Sequence, residues 1–307
     1  MKVILISQKN EFDDEHIVKI EKFAPIKWIN SEKTNLLEIP ELFDDEEKIL
    51  AFSPVPMEWK IPDEIYNKFN NVKAVSLVTT SYDFLDISKL NRLNIPVANV
   101  PYYSSDAVAE YALFMLMALL KRFALQVKSD FKYEFTDANL MDEFSDKTVG
   151  IIGLGHVGEK IAKLVKKLGF NVTYYSKNTR NTDYNYVSFE KLISDSDIIF
   201  PAFVVNESTK KLLTSKVLLK LKDSAYFINV VGEDSCDTDY LLKRAEDGKL
   251  QGLAFESDKR KMKDYKGNIF ISAPLAWYTK QSLEHNIDIW TDAIISCIKG
   301  KIQNRIE

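Results

Sequence analysis

At 307 residues the chain is long enough for two domains, and 46% hydrophobic with 28% charged residues is the composition of a folded globular protein rather than a disordered one. A net charge of −4, from 41 basic and 45 acidic residues, leaves no cationic excess for nucleic acid. Ten glycines and nine prolines exclude low complexity, and two cysteines, Cys236 and Cys297, are too few for a disulfide framework or a thiolate metal site.

The first predicted element is a buried strand, KVILIS (2–7). Its apolar core is too short for a signal peptide, so a reducing, cytoplasmic setting is expected. Further short apolar runs follow at KILAF (48–52), VKAVSLV (72–78) and IPVANV (95–100), separated by charged, helix-patterned stretches. Next comes a helix that is apolar almost all round, SSDAVAEYALFMLMALLKRF, with Ser104, Ser105 and Asp106 as cap candidates. Its run Tyr111 to Leu120 stops at Lys121-Arg122, well short of the roughly 20 residues of a membrane span. Such a helix packs against both α/β units or against another subunit.

A second strand series begins at KTVGIIGLG (147–155) and continues through 170–176, 196–203, 225–231, 250–256 and 268–274; a long amphipathic helix, 279–300, closes the chain. Short apolar runs alternating with helical patterns predict parallel strands covered by helices. The predicted fold is therefore α/β, with two doubly wound parallel-sheet domains of Rossmann and flavodoxin-like type. Residues 1–100 with 279–307 form one, and residues 101–278 the other.

Within the second series, VGIIGLGHVG places Gly153, Gly155 and Gly158 between a strand and a helix. In this spacing the first glycine makes the tight turn, the second admits a pyrophosphate, and the third lets helix and strand pack closely. Free N–H groups at the helix start then face the phosphates. Strand, loop and helix stand in the order the motif requires, so a dinucleotide is expected on Gly153, Gly155, His156, Val157 and Gly158. His156 lies beside the pyrophosphate in this reading, away from any chemistry. His16 and His285 have no motif around them.

Ribose choice is read about 20 residues further on, where a carboxylate marks NAD. Ser176 stands there, 18 residues beyond Gly158, followed by Lys177 and Arg180. A hydroxyl and two cations suit a 2′-phosphate, so NADP(H) is expected in preference to NAD(H), which the loop also admits. The alternative is a solvated basic loop.

From these residues the chain resembles the D-2-hydroxyacid dehydrogenases, the glycerate and glyoxylate/hydroxypyruvate reductases among them. The resemblance rests on SYDFLDI (81–87), NIPVANVPYYSSDAVAEYAL (94–113), the glycine loop and LISDSDIIF (192–200). It implies two domains with a cleft between them, a substrate loop including Thr80, Ser81 and Tyr82, a cofactor contact at Val230, and a homodimer built through the helix 105–122. It also implies a catalytic arginine, glutamate and histidine. Aligned on INVVGEDSCD, GLAFESDK and NIFISAPLAWYT, those places hold Gly232, Lys259 and Pro274, and the aspartate that steadies the nicotinamide is Ala254.

Losing the cation, the acid–base group and its partner together removes the family's mechanism. Glu233 and Asp234 either face the cleft and repel a carboxylate, or point to solvent and cap the next helix with Asp237. Tyr278, Glu256, Lys259 and Tyr82 are the remaining donors or bases near the expected cleft. Three readings follow: a dinucleotide-binding member silent or atypical toward 2-hydroxy and 2-keto acids; an active NADP-dependent reductase of a small carbonyl substrate using other residues; or a dimeric, cofactor-responsive interaction protein. No metal, nucleic acid or membrane partner is expected, and the small-molecule ligand is not named by the sequence.

Overall fold

The computed structural model describes residues 1–8, 11–30, 32–144, 146–179, 182–206 and 208–306. The chain divides into two compact units, Met1–Ser104 with Lys280–Glu307, and Ser105–Thr279. The first unit contains β1 (Lys2–Ser7), α1 (Asp14–Glu21), β2 (Ile26–Asn30), β3 (Lys48–Phe52), β4 (Val72–Leu77), α2 (Ile87–Arg92) and β5 (Val97–Ala98). The second contains α3 (Ser105–Leu120), α4 (Phe123–Lys128), β6 (Thr148–Ile152), α5 (His156–Lys167), β7 (Asn171–Tyr175), β8 (Asn185–Tyr186), α6 (Phe189–Asp195), β9 (Ile198–Pro201), α7 (Ser215–Leu218), β10 (Tyr226–Asn229), α8 (Thr238–Glu246), β11 (Gly252–Glu256) and β12 (Ile269–Ser272). The chain then returns to the first unit as α9 (Lys280–Ile298) and β13 (Arg305–Ile306).

In the first unit the strand order is β13-β5-β4-β3-β1-β2, parallel except where β13 joins β5 antiparallel. Apolar runs form β1, β3 and β4 because both their faces are covered. Along β1, Val3 and Leu5 enter a core with Trp290 of α9, while Ile4 and Ile6 enter the opposite core with Leu50 and Leu77. Trp290 is fully buried and lies 4.8 Å from the Phe12 ring. Truncating such a side chain costs about 3–5 kcal/mol. Two-residue periodicity thus sets the register that brings the ends of β1, β3 and β4 together.

The second unit orders its strands β12-β11-β10-β9-β6-β7-β8, all parallel. This is the dinucleotide-fold order, reversing direction between β6 and β9, where such folds bind ligand at the carboxyl ends of the strands. Val149 and Ile151 of β6 face α3 and α5, whereas Ile152 faces the other core with Leu192 of α6 and Leu241 of α8. Nine of the sixteen α3 residues are buried, and the helix packs on α5, β10 and β11 of its own unit. It ends at Leu120, and Arg122 takes a left-handed φ of 53° before α4. Among the described residues no helix is long and apolar enough to cross a membrane.

Candidate functional site

The loop between β6 and α5 gives its three glycines three different jobs. Gly153 has φ +95°, and a Cβ there would lie 2.7 Å from the Ala202 carbonyl oxygen. A Cβ on Gly158 would lie 2.1 Å from the Gly153 carbonyl oxygen, so this glycine lets α5 close on the loop. Gly155 differs: its Cβ would meet nothing within 4 Å. The turn and the packing are therefore fixed by the first and third glycines, and open space lies before the second. Gly155 is also the N-cap of α5 and offers no side chain to cap it, so the first N–H groups of the helix are available to an anion. Val157 and Val230 pack half-buried against the core beneath, and His156 is the exposed first residue of α5. A pyrophosphate fits this cradle.

Ser176 follows the last residue of β7 and is half-buried, with Lys177 exposed beside it. Arg180 lies outside the described residues.

Across the switch point, the turn after β10 is closed on itself. Asn229 donates from Nδ2 to the Gly232 carbonyl oxygen at 2.9 Å and accepts the Val231 N–H at 3.0 Å. The Ser235 hydroxyl donates to the same Gly232 carbonyl at 2.7 Å. This knot holds Gly232 at φ +122°, a conformation that side-chain-bearing residues avoid. The place at which the resemblance expects an arginine is thus a left-handed backbone turn that glycine suits.

The acids after it divide. Asp237 caps α8 by accepting the Tyr240 N–H at 3.1 Å, as the capping alternative expects. Glu233 does not point freely to solvent: Arg260 Nε donates to its Oε2 at 2.7 Å. The same guanidinium meets Asp239 at 2.8 Å and the Tyr265 hydroxyl at 3.1 Å. Lined by Glu233, Asp234, Asp237, Asp239 and Arg260, the open polar recess at this end of the unit carries one cation that is already engaged. Arg260 and Tyr265 escape local motif reading, since nothing in the spacing signals a partner 27 residues away.

Lys259 and Pro274 are exposed. Trp277 and Tyr278 are also exposed and stack edge to face at 5.2 Å. Their loop is tied down by Glu256, at the end of β11, whose Oε1 accepts the Ala276 N–H at 2.8 Å. Burial pushes the Glu256 carboxyl up from the ordinary range, against the pull of the Ala276 and Leu275 N–H groups.

The substrate-loop residues belong to the first unit. Thr80 donates to the Val100 carbonyl at 2.7 Å, and Asn99 Nδ2 donates to the Thr80 carbonyl at 2.8 Å. Ser81 and Tyr82 are exposed beyond that tether. Among the described residues no cluster of three or more His, Cys, Asp or Glu could hold a metal ion.

Residues 113–264 match the model of the D-isomer specific 2-hydroxyacid dehydrogenase NAD binding domain. A D-specific alpha-keto acid dehydrogenase of Enterococcus faecium is 29% identical over 237 residues, 71% of this chain and 73% of that protein. A D-lactate dehydrogenase of Treponema pallidum is 26% identical over 290 residues, 85% and 86% of the two chains. Among solved structures, an acyclic imino acid reductase in complex with NADPH and D-Arg superposes with a TM-score of 0.83 at 25% identity, covering 100% of both chains.

Proposed function

The chain belongs to the D-2-hydroxyacid dehydrogenase family and carries its NAD binding domain, and we propose that it binds a nicotinamide dinucleotide while being silent toward ordinary 2-hydroxy and 2-keto acids. One observation carries this. Gly232 is held at φ +122° by Asn229 and Ser235, and the nearby Arg260 is already engaged by Glu233 and Asp239. Nothing at that place grips a substrate carboxylate, and Pro274 supplies no acid–base group. General acid–base catalysis is worth roughly 10²–10⁴-fold and a fixed electrostatic donor roughly 10²–10³-fold. Their joint loss brings turnover of keto acids near background.

When bound, the dinucleotide supplies a hydride. Gly153, Gly155 and Gly158 would shape its cradle, the first α5 N–H groups would meet its pyrophosphate, and Val230 would be a further contact. Ser176, Lys177 and Arg180 favour NADP(H), since a 2′-phosphate gains charge-assisted hydrogen bonds from cations there. The solved imino acid reductase was captured with NADPH, which supports that preference. It also supports a second reading, an active reductase of a small carbonyl or related substrate. A homodimer through the helix 105–122 belongs to the same proposal: Phe114 on α3 is 45% exposed, an apolar side chain that a second copy would cover.

The test is a titration with NADPH and NADH, followed by NADPH absorbance with glyoxylate, pyruvate and hydroxypyruvate. Binding without turnover is expected, with NADPH the tighter cofactor and Lys177→Ala weakening it about tenfold while sparing NADH. Turnover of a keto acid at the roughly 1–10³ s⁻¹ of working enzymes overturns the silent site.

A further inference from the structure

We infer that Glu256 faces the nicotinamide end of the dinucleotide and gives the proton when a small carbonyl compound without a free 2-keto carboxylate is reduced. This rests on the dinucleotide reading above. The two halves of a dinucleotide lie on either side of the point where strand order reverses. Ser176 follows β7 on one side of that point; β9, β10 and β11 run out on the other, and Glu256 is the last residue of β11.

Ala254 and Glu256 are two apart on one strand, so they share a face. A carboxylate absent at 254, where the resemblance places the group that steadies nicotinamide, is therefore present one alternation nearer the strand end. Its oxygen is also fixed 2.8 Å from the Ala276 N–H, in the loop that holds Pro274 where the family has histidine. One carboxyl thus joins both vacated places. Ser272 is in register with Glu256 on β12, and its hydroxyl is buried with no partner, a second polar group on the same patch.

Three of the other acids at this end are used: Arg260 holds Glu233 and Asp239, and Asp237 caps α8. Asp234 and Asp258 are exposed, and Glu256 is half-buried. Glu256 has only N–H partners, and burial keeps its proton on to higher pH than an ordinary carboxyl, as an acid requires. In the step, the carbonyl carbon accepts the hydride, the C=O π pair moves to oxygen, and that oxygen takes the Glu256 proton. The products are an alcohol, a Glu256 carboxylate and the oxidised cofactor, and solvent returns the proton.

The test needs no substrate. An oxidised nicotinamide ring is cationic and a reduced one is neutral, so a facing carboxylate favours the oxidised form. Glu256→Gln is isosteric and keeps an acceptor for Ala276. Binding of NADP⁺ and NADPH to parent and variant is measured by calorimetry at pH 8. We expect the variant to weaken NADP⁺ about fivefold to tenfold and to leave NADPH within about twofold, with Glu256→Asp falling between. A purely structural carboxyl shifts both cofactors alike or neither, and either result overturns the inference. A parent that binds neither dinucleotide overturns the reading on which it stands.

Discussion

Arg260 and Glu233 meet at 2.7 Å, Nε to Oε2, and so fasten the loop after β11 to the turn after β10. Their side chains are 28% and 22% exposed, whereas Asp239, the second carboxylate on the guanidinium, is 81% exposed. The half-buried pair therefore carries most of the energy, since hydrogen bonds between charged groups contribute roughly 1.5–3 kcal/mol and exposed pairs about 0–1. Arg260→Ala should cost about 2 kcal/mol and lower the melting temperature by roughly 4–8 °C, with Asp239→Asn nearly neutral. Differential scanning fluorimetry measures this; equal losses for both variants would place the energy in the exposed arm.

The glycine loop separates binding from folding. Gly155→Val places its side chain in open space, so the fold should melt within about 1 °C of the parent, while the valine blocks pyrophosphate approach and weakens NADPH at least a hundredfold. Gly158→Ala sets a Cβ 2.1 Å from a backbone oxygen, and something must shift. That variant should lose about 1–3 kcal/mol of stability. Thermal melts with and without NADPH distinguish the two. A Gly155→Val protein that still gains stability from NADPH contradicts the cradle.

What could be read in advance followed from locality. The runs 2–7, 48–52 and 148–152 lie in strands covered on both faces, so each is apolar along its middle rather than alternating. IKWIN escapes that reading because β2 is an edge strand, with Lys27 exposed and no buried residue along it. β8 and β13 are two residues each, too short for any period, and of the apolar run 95–100 only Val97–Ala98 pairs as strand. The glycine cradle is legible for the same reason: its three parts sit within six residues. Arg260 on Glu233 and Glu256 on Ala276 join separate βα turns, and only the parallel sheet order brings those turns side by side.

His16 bridges two carboxylates, Asp13 at 2.6 Å and Asp288 at 3.1 Å, and so links α1 to α9. Burial alone disfavours its charge, but the hydrogen bonds to Asp288 and Asp13 outweigh it and raise the imidazole above its ordinary 6.5. The bridge therefore contributes fully below about pH 6.5 and fades as pH rises through the elevated folded value. Both carboxylates are more than 60% exposed, which limits the contribution to about 0.5–1 kcal/mol. Asp288→Asn should lower the melting temperature at pH 5.5 by a few degrees and leave it unchanged at pH 9. The opposite ordering would mean that His16 is held neutral.

Placing an arginine at Gly232, where the resemblance expects one, should not by itself give reduction of a keto acid. Gly232 has room for a side chain, with nothing within 4 Å of its Cβ position, but φ +122° admits one only with strain. Gly232→Arg should cost about 1–3 kcal/mol unless the turn moves, and the turn is held through the Gly232 carbonyl by Asn229 and Ser235. Pro274→His meets no such barrier, because Pro274 is exposed. Two outcomes are therefore expected of the pair. Gly232→Arg with Pro274→His melts lower than Pro274→His alone, and its turnover of glyoxylate stays within about tenfold of background, since the arginine is not delivered in the geometry that a bidentate grip on a carboxylate requires. Adding Asn229→Ala releases the knot. If conformation is the obstacle, this triple variant reduces glyoxylate faster than the double, despite being less stable. Brisk turnover by the double variant itself would show that the +122° backbone is no barrier and that the missing side chains alone silence the site.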